Sequence, residues 1–318
     1  MRKTILIFSC CAFFALAAMA QRTEALLEKN WKFTKGDVPE ATQTNFDDSK
    51  WETVTIPHDW AIFGPFDRNN DLQEVAVTQD LEKQASVKTG RTGGLPYVGV
   101  GWYRTAFDAP ADKQVTLVFD GAMSEARVYV NGKEACFWPF GYNSFHCDVT
   151  GLLNADGKDN VLAVRVDHSR YADSRWYTGS GIYRDVWLVA APDTHIAQWG
   201  VGWHAASLTD KQAVVAVDVE VEKHKATSDK LELRASLYDA AGKQVAQRRV
   251  RVADGKEGIT KQSLDLKVSK PHRWNLDNPY LYTLKTELFA NGKRIDGSET
   301  KVGLRTLEFD ANKGFALN

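Results

Sequence analysis

Short segments with alternating apolar and polar residues dominate this sequence, and almost no segment shows the period of a helix. Leu162, Val164 and Val166 form the clearest case, because every second side chain of a strand points to the same face. Another alternating segment ends at Asn131-Gly132, a pair that favours a tight hairpin turn since both residues tolerate a positive φ. Many short strands separated by turns predict an all-β chain that begins with a jelly-roll sandwich.

A change of pattern at Ala191-Pro192-Asp193 predicts a domain boundary. Beyond it, about seven further alternating segments predict an immunoglobulin-like β-sandwich, although the Cys-Trp-Cys signature of antibody domains does not occur. No polar cluster in these segments is unusual for a sheet surface, so we predict a spacer without chemistry of its own. The expected strands are 195–203, 213–222, 231–239, 244–252, 258–268, 281–290 and 294–302.

Residues 1–20 have the pattern of a secretory signal peptide. An apolar run over 5–18 follows a basic start, and Ala18-Met19-Ala20 forms a small-x-small cleavage site. We therefore expect a mature chain that begins near Gln21 and a secreted or periplasmic protein. No other segment has the apolar length of a membrane-spanning helix, so we expect no membrane span.

Composition and motifs exclude several classes of function. With 40 basic and 41 acidic side chains the net charge is −1, which is not the basic balance that nucleic-acid binding requires. The segment 63–98 is predicted to be a long loop, and its glycine-rich run 89–94 lacks the GK[ST] ending of a phosphate-binding loop. We predict no cofactor and no metal site.

Cys136 and Cys147 are the cysteines that remain after removal of the signal peptide. They flank 137–146, which we predict to fold back as a hairpin and to bring the two sulfur atoms face to face across paired strands. An oxidising compartment permits a disulfide there. Two buried free thiols are the alternative.

The segment between the strands predicted at 162–166 and 182–189 combines charged and aromatic residues. Aromatic rings suit the C–H face of a sugar, and charged side chains suit its hydroxyl groups. The alternative is an ion-paired loop whose aromatic side chains close the end of the sandwich. The segment includes Asp167, His168, Asp173, Arg175 and Trp176.

A set of short motifs runs through nearly all of the chain after residue 20. They are 57–60 (PHDW), 101–104 (GWYR), 128–132 (VYVNG), 145–150 (FHCDVT), 180–186 (SGIYRDV), 274–282 (WNLDNPYLY) and 303–305 (GLR). Each motif alone is weak, but their order and spacing together resemble the N-terminal portion of glycoside hydrolase family 2. That family contains β-galactosidases, β-glucuronidases and β-mannosidases.

The resemblance implies a galactose-binding-like jelly roll (21–191), an immunoglobulin-like domain (192–305) and then a catalytic TIM barrel. In the family, a short Phe-x-Leu-Asn motif leads into the first strand of the barrel, and residues 315–318 (FALN) match it at the end of this sequence. We therefore expect 306–318 to be a truncated linker toward an absent barrel. Retaining glycosidases use two carboxylates, and in this family both are barrel glutamates. We therefore expect no catalytic residue in this chain, which would be inactive alone.

The resemblance also implies substrate-binding roles for four residues. In β-galactosidases an aspartate at the position of Asp167 helps to hold the galactosyl unit, and in β-glucuronidases a carboxylate two positions from Asp173 has a similar role. Arg175 and Trp176 belong to a galactosidase-like SRWY pattern. We expect the non-catalytic N-terminal part of a secreted β-galactosidase-like enzyme, which supports and partly walls a pocket for a β-galactoside or related glycan.

Two other functions are consistent with the same residues. The first is a free-standing, lectin-like carbohydrate-binding protein that uses the jelly roll as its binding module. The second is a lyase that uses His168, Tyr171 and Arg175, which we disfavour because no base–nucleophile pair can be identified among them. The β-galactosidase-like interpretation, unlike these two, implies a separate or missing TIM-barrel segment as a partner.

Overall fold

The structure, a computed structural model, describes residues 21–71, 73–78, 81, 83–90, 96–169, 177–253 and 255–318. Its long elements are β-strands in antiparallel sheets, which confirms the predicted all-β fold class. The chain forms two compact units, Thr23–Ala190 and Ala191–Asn318, and Arg22 belongs to the second. Among the described residues, the helices are short 3-10 turns, and none is long and apolar enough to cross a membrane.

The first unit is a sandwich of two antiparallel sheets. One sheet has the strand order β1-β12-β7-β10, the other has the order β3-β2-β6-β11-β8-β9, and β4 and β5 form a separate hairpin. The strands are β1 (Thr23–Leu26), β2 (Trp31–Lys35), β3 (Glu52–Val54), β4 (Gln73–Val77), β5 (Ser86–Gly90), β6 (Val100–Phe107), β7 (Gln114–Phe119), β8 (Ala126–Val130), β9 (Lys133–Trp138), β10 (Phe145–Asp148), β11 (Asn160–Asp167) and β12 (Val186–Ala191).

Strand β11 lies inside the larger sheet and pairs with β6 on one edge and with β8 on the other. Leu162, Val164 and Val166 are fully buried in the core of the sandwich, as their alternation predicts. On the opposite face of β11, Ala163 packs in a second small cluster with Trp102. One face of this strand is therefore buried along its length, and the other is covered at Ala163 and partly accessible elsewhere.

Two expectations for the first unit require correction. The segment 63–98, predicted to be a loop, contains the β4–β5 hairpin. The strand predicted at 182–189 begins only at Val186, and it belongs to a different sheet from β11. Ile182 is nevertheless fully buried, because a loop residue also packs into the core here.

The second unit is also a sandwich of two antiparallel sheets, as the spacing of the alternating segments predicts. One sheet has the order β13-β14-β17 and the other the order β16-β15-β18-β19. The strands are β13 (Thr194–Leu208), β14 (Gln212–Lys223), β15 (Leu231–Tyr238), β16 (Gln244–Arg251), β17 (Gly258–Ser269), β18 (Tyr282–Ala290) and β19 (Lys293–Val302).

Alternation along β14 shows why this second sandwich forms. Every second residue from Ala213 to Val221 is buried, whereas the intervening residues are at least partly accessible. The opposite sheet supplies matching apolar residues, such as Leu233 on β15 and Leu284 on β18, to the same core. Two half-buried sheets thus cover each other's apolar faces.

A buried ion pair ties the start of the described chain to this second unit. Asp296, which is 1% exposed, accepts hydrogen bonds of 3.1 Å from two nitrogens of Arg22 and one of 2.7 Å from the backbone N–H of Ile196. A buried carboxylate needs such partners because burial without them is costly.

The segment expected to be a linker forms a hairpin of β20 (Leu307–Asp310) and β21 (Gly314–Leu317). Phe309 and Phe315 face each other with ring centroids 5.1 Å apart, and both are exposed. Asn318 donates a hydrogen bond of 3.0 Å to the carbonyl of Trp274, so the end of the sequence contacts the second sandwich.

The hairpin predicted between Cys136 and Cys147 is wrong. Cys136 lies on β9, which pairs with β8, whereas Cys147 lies on β10, which pairs with β7 in the other sheet. The tight turn at Asn131-Gly132 directs β9 back along β8, so β9 is not paired with β10. The structure joins the two sulfur atoms, with Cα atoms 5.7 Å apart, and this link connects the two sheets.

We expect the Cys136–Cys147 disulfide in the folded protein and a loss of about 3 kcal/mol of unfolding free energy in the Cys136→Ser/Cys147→Ser variant, because the link restricts the unfolded chain. Peptide mass analysis without reduction and urea unfolding measure the two quantities. A reducing agent should destabilise the parent chain and leave the double variant unchanged. Two free thiols in the folded parent chain would contradict the pairing.

Candidate functional site

Asp167 is the last residue of β11 and stands at the start of the candidate sugar-binding loop. Its carboxylate accepts hydrogen bonds from the backbone N–H of Ser169 at 2.9 Å and from the Ser169 hydroxyl at 2.5 Å, and it lies 3.1 Å from the guanidinium of Arg165. The side chain is 13% exposed. The strand end and these contacts fix its orientation.

Charge and hydrogen bonding keep Asp167 ionised. Burial raises the pKa of its carboxyl, but the hydrogen bonds from Ser169 and the charge of Arg165 outweigh burial, so the net pKa lies below its usual value. Arg165 is itself held by Asp37 at 2.8 Å on the strand surface. At neutral pH Asp167 is therefore a fixed negative charge that can only accept hydrogen bonds.

The other predicted substrate-binding residues, Asp173, Arg175 and Trp176, lie outside the described residues, as does Tyr171. The structure describes the loop again from Tyr177. Its two ends can therefore be examined, and each end has a hydrogen-bonding partner elsewhere in the sandwich.

His168 connects the two ends of the loop. The residue is 1% exposed, and its Nδ1 lies 2.7 Å from the hydroxyl oxygen of Ser180. Its backbone N–H donates to the carbonyl of Gly99 at 2.8 Å. This buried contact gives His168 a structural role and does not support the lyase interpretation.

Asp59 holds the far end of the loop. Its carboxylate accepts hydrogen bonds from the Tyr177 hydroxyl at 2.6 Å, from the Ser180 N–H at 2.8 Å and from the Ala61 N–H at 2.9 Å. The last of these caps the 3-10 helix that begins at Trp60. Burial and this carboxylate together raise the pKa of Tyr177 well above its usual value, so the phenol remains a donor.

An open cleft of about 920 Å³ lies beside this anchor. Exposed apolar side chains, among them Phe63 and Tyr177, stand at its edge together with polar groups. Its lining residues are Lys29, Asn30, Glu52, Thr53, Val54, Thr55, Pro57, His58, Asp59, Ile62, Phe63, Tyr177, Thr178, Gly179 and Tyr183. Its aromatic and polar groups are of the kinds that contact sugars.

His58 belongs to the wall of this cleft. Its Nδ1 lies 2.9 Å from the hydroxyl oxygen of Tyr103, and burial lowers its pKa below the usual value. His58 and Asp59 are adjacent in the sequence but bind different partners, as expected for neighbours on an extended chain.

Sequence reasoning missed Asp59 and Tyr177 as a pair. They are far apart in the chain, and no local spacing relates them. Asp59 belongs to the PHDW motif and Tyr177 follows SRW, so each lies in a motif that the sequence shows. Only the fold brings the two residues into contact.

This fold defines a chain of two β-sandwiches in series, with a polar, loop-borne site at one end of the first. A sequence model described as "Glycosyl hydrolases family 2, sugar binding domain" matches residues 25–192, and one described as "Glycosyl hydrolases family 2" matches residues 194–305. The chain therefore belongs to glycosyl hydrolase family 2, and it corresponds to the N-terminal portion of the family's enzymes.

Individual relatives agree with that assignment. "Beta-galactosidase BoGH2A" of Bacteroides ovatus is 37% identical over 313 residues, which are 97% of this chain and 34% of that protein. A family 2 crystal structure from Bacteroides cellulosilyticus has a TM-score of 0.78 at 30% identity and covers 93% of this chain and 38% of its own. The β-glucuronidase of Bacteroides uniformis has a TM-score of 0.77 at 28% identity, with 94% and 34% covered. The chain thus spans about a third of the length of these proteins.

We expect Asp59→Ala to lower the unfolding free energy by about 3 kcal/mol, because three donors lose a charged acceptor. Tyr177→Phe removes one of those donors and should cost about 1 kcal/mol. Urea unfolding measures both. Asp47→Ala is the matched control, since Asp47 accepts a backbone N–H from Ser49 at an exposed turn and its loss should destabilise the fold much less than the loss of Asp59. Equal effects of Asp59→Ala and Asp47→Ala would show that Asp59 is not an anchor.

Proposed function

We propose that this chain is the non-catalytic N-terminal part of a secreted family 2 glycosidase that acts on terminal β-galactosides, and that it supports and partly walls the glycoside pocket. The match of residues 25–192 to the family's sugar-binding domain carries the proposal. The 37% identity to a protein named as a β-galactosidase supports galactosides as the substrate class.

Asp167 is the residue through which this chain would contact the sugar. A carboxylate has about four lone-pair sites, and the contacts to Ser169 and Arg165 leave acceptor capacity for a sugar hydroxyl. Because the carboxylate is already oriented, binding would require little further ordering of the side chain. Asp173, Arg175 and Trp176 complete the proposed set on the same loop.

Catalysis belongs, in this proposal, to a TIM-barrel segment that supplies both carboxylates of a retaining mechanism. No residue of this chain has a catalytic role in it. Secretion or periplasmic location follows from the signal peptide expected at 1–20, and the link between Cys136 and Cys147 is of the kind found in oxidising compartments.

A second candidate, free-standing carbohydrate binding, is favoured by the cleft beside Asp59. Phe63 is 77% exposed and Tyr177 is 59% exposed at its edge, and exposed aromatic rings next to polar groups are suited to stacking on a sugar. In this case the chain alone would bind glycans without a barrel.

The first test measures hydrolysis of aryl β-galactosides and aryl β-glucuronides. The chain alone should hydrolyse neither. A chimera in which this chain replaces the matching N-terminal third of the Bacteroides ovatus relative should hydrolyse the galactoside in preference. In that chimera Asp167→Asn should raise KM at least about tenfold, because a charged hydrogen bond to the sugar is worth roughly 1.5–3 kcal/mol.

The control is Asp112→Asn in the same chimera, at an exposed turn between β6 and β7, which should leave KM unchanged. Turnover by the chain alone that Asp167→Ala abolishes would overturn the proposal. An unchanged KM in the Asp167→Asn chimera would remove Asp167 from the pocket.

The lectin-like candidate predicts that the isolated chain binds glycans with micromolar affinity, measured on a glycan array and by calorimetry. Phe63→Ala should reduce that binding about fivefold to thirtyfold, since stacking and apolar contact with one aromatic ring contribute roughly 1–2 kcal/mol. Phe309→Ala, an exposed phenylalanine of the second unit, is the matched control. Absence of glycan binding by the isolated chain would reject this candidate and leave the first unaffected.

A further inference from the structure

The second sandwich carries a cluster of metal-ligating side chains, His195, Glu222 and His224, that is separate from the sugar-binding loop. His195 stands at the start of β13, directly opposite Glu222 near the end of β14. His224 follows two positions after Glu222, and its backbone N–H donates to the carbonyl of Asp193 at 2.9 Å, which extends the strand pairing. Residues two apart on a strand share a face, so all three side chains meet.

The distances between the ligand atoms fit a small metal ion. Nε2 of His195 lies 3.6 Å from one carboxylate oxygen of Glu222, and Nε2 of His224 lies 3.4 Å from the other. All the ligand atoms of the cluster lie within 4.8 Å of one another. Ligands placed tetrahedrally at the Zn–N and Zn–O distances of about 2.0–2.1 Å would be about 3.4 Å apart, so the two contacts of Glu222 already have this spacing and the histidines would move closer together on binding.

The tautomer of His195 also matches a ligand. Its Nδ1 lies 2.7 Å from the carbonyl oxygen of Pro192, which can only accept, so Nδ1 carries the hydrogen. In the neutral ring Nε2 then presents a lone pair toward a carboxylate oxygen of Glu222, and a cation between them would satisfy both acceptors. Histidines that bind metals commonly donate their other N–H to a backbone carbonyl in this way.

The surroundings leave the negative charge of Glu222 available. The positive charge of Arg22 interacts with His195, but Arg22 is paired with the buried carboxylate of Asp296 at 3.1 Å. Lys225 is paired with Asp193 at 2.8 Å. Because these cations have their own carboxylates, Glu222 can be assigned to the two histidines.

We propose that His195, Glu222 and His224 bind one divalent transition-metal ion of the Zn²⁺ class. Two imidazole nitrogens and one carboxylate favour Zn²⁺, Co²⁺ or Ni²⁺ over the harder Mg²⁺ and Ca²⁺. Three protein ligands leave one position for water. The ion connects the start of β13 to the end of β14, so its role is to stabilise the second sandwich, and it does not depend on the proposed glycosidase function.

This site differs from the expectation of a spacer domain without a metal. His195 and Glu222 are far apart in the chain and follow no metal-binding spacing, so only the pairing of β13 with β14 reveals them.

The test is calorimetric titration of Zn²⁺ into the untagged full chain after treatment with a chelator and its removal. We expect one equivalent to bind with micromolar or higher affinity, and Mg²⁺ not to bind. Glu222→Gln and His224→Ala should each weaken Zn²⁺ binding at least about 100-fold, because loss of a partner in the outer shell alone costs 10–100-fold. The exposed His204 of β13 provides the matched control, and His204→Ala should bind as the parent does.

A second measurement uses the unaltered chain, so it does not depend on the folding of a variant. Co²⁺ added to it should give the intense visible absorption of a four-coordinate site, and Zn²⁺ should displace that signal. Absence of Zn²⁺ binding, or equal binding by the parent and by Glu222→Gln, overturns the proposal. A Co²⁺ spectrum identical to that of the hydrated ion would also overturn the proposal.

Discussion

Backbone pairing of β11 on both edges is the constraint on which the first sandwich depends. Asn160 to Asp167 pair with Phe107 to Val100 on β6, and Leu162 to Arg165 pair with β8. Backbone N–H and C=O groups inside a sheet must be satisfied, and a shift of one residue would turn the buried face outward. The register of β11 is therefore fixed, and with it the position of Asp167 at the point where the loop leaves the sheet.

The loop is constrained at both ends by different means. At its start, Asp167 is held by Ser169 and Arg165, and the next residue, His168, reaches Ser180. At its end, Asp59 receives Tyr177 and Ser180. Binding residues on loops act best when a rigid scaffold holds the loop. The rigid parts of this domain therefore lie next to the proposed sugar contacts, which is consistent with a supporting wall for a pocket.

Local alternation predicted most of the strands, because a half-buried strand must place an apolar residue at every second position. The strands of the second sandwich agree with the predicted segments within one residue at each end, except that β13 continues to Leu208, beyond the predicted end at 203. The prediction of a hairpin at 137–146 was wrong because the alternation within a strand does not show which strand pairs with it. The turn at Asn131-Gly132 pairs β9 with β8 instead. Asp167 was identified through the family resemblance and its place after a strand, whereas the Asp59–Tyr177 contact was not.

By itself, the sequence determined the fold class, the family and the order of the two sandwiches, since these follow from residue patterns that are short and contiguous. Only the tertiary structure decided which strands share a sheet, that Cys136 and Cys147 connect two sheets, and that His195 meets Glu222 and His224. The physical reason is that these contacts join residues that are distant in the chain. Their proximity is set by the packing of whole sheets, so neither segment shows it in its own sequence pattern.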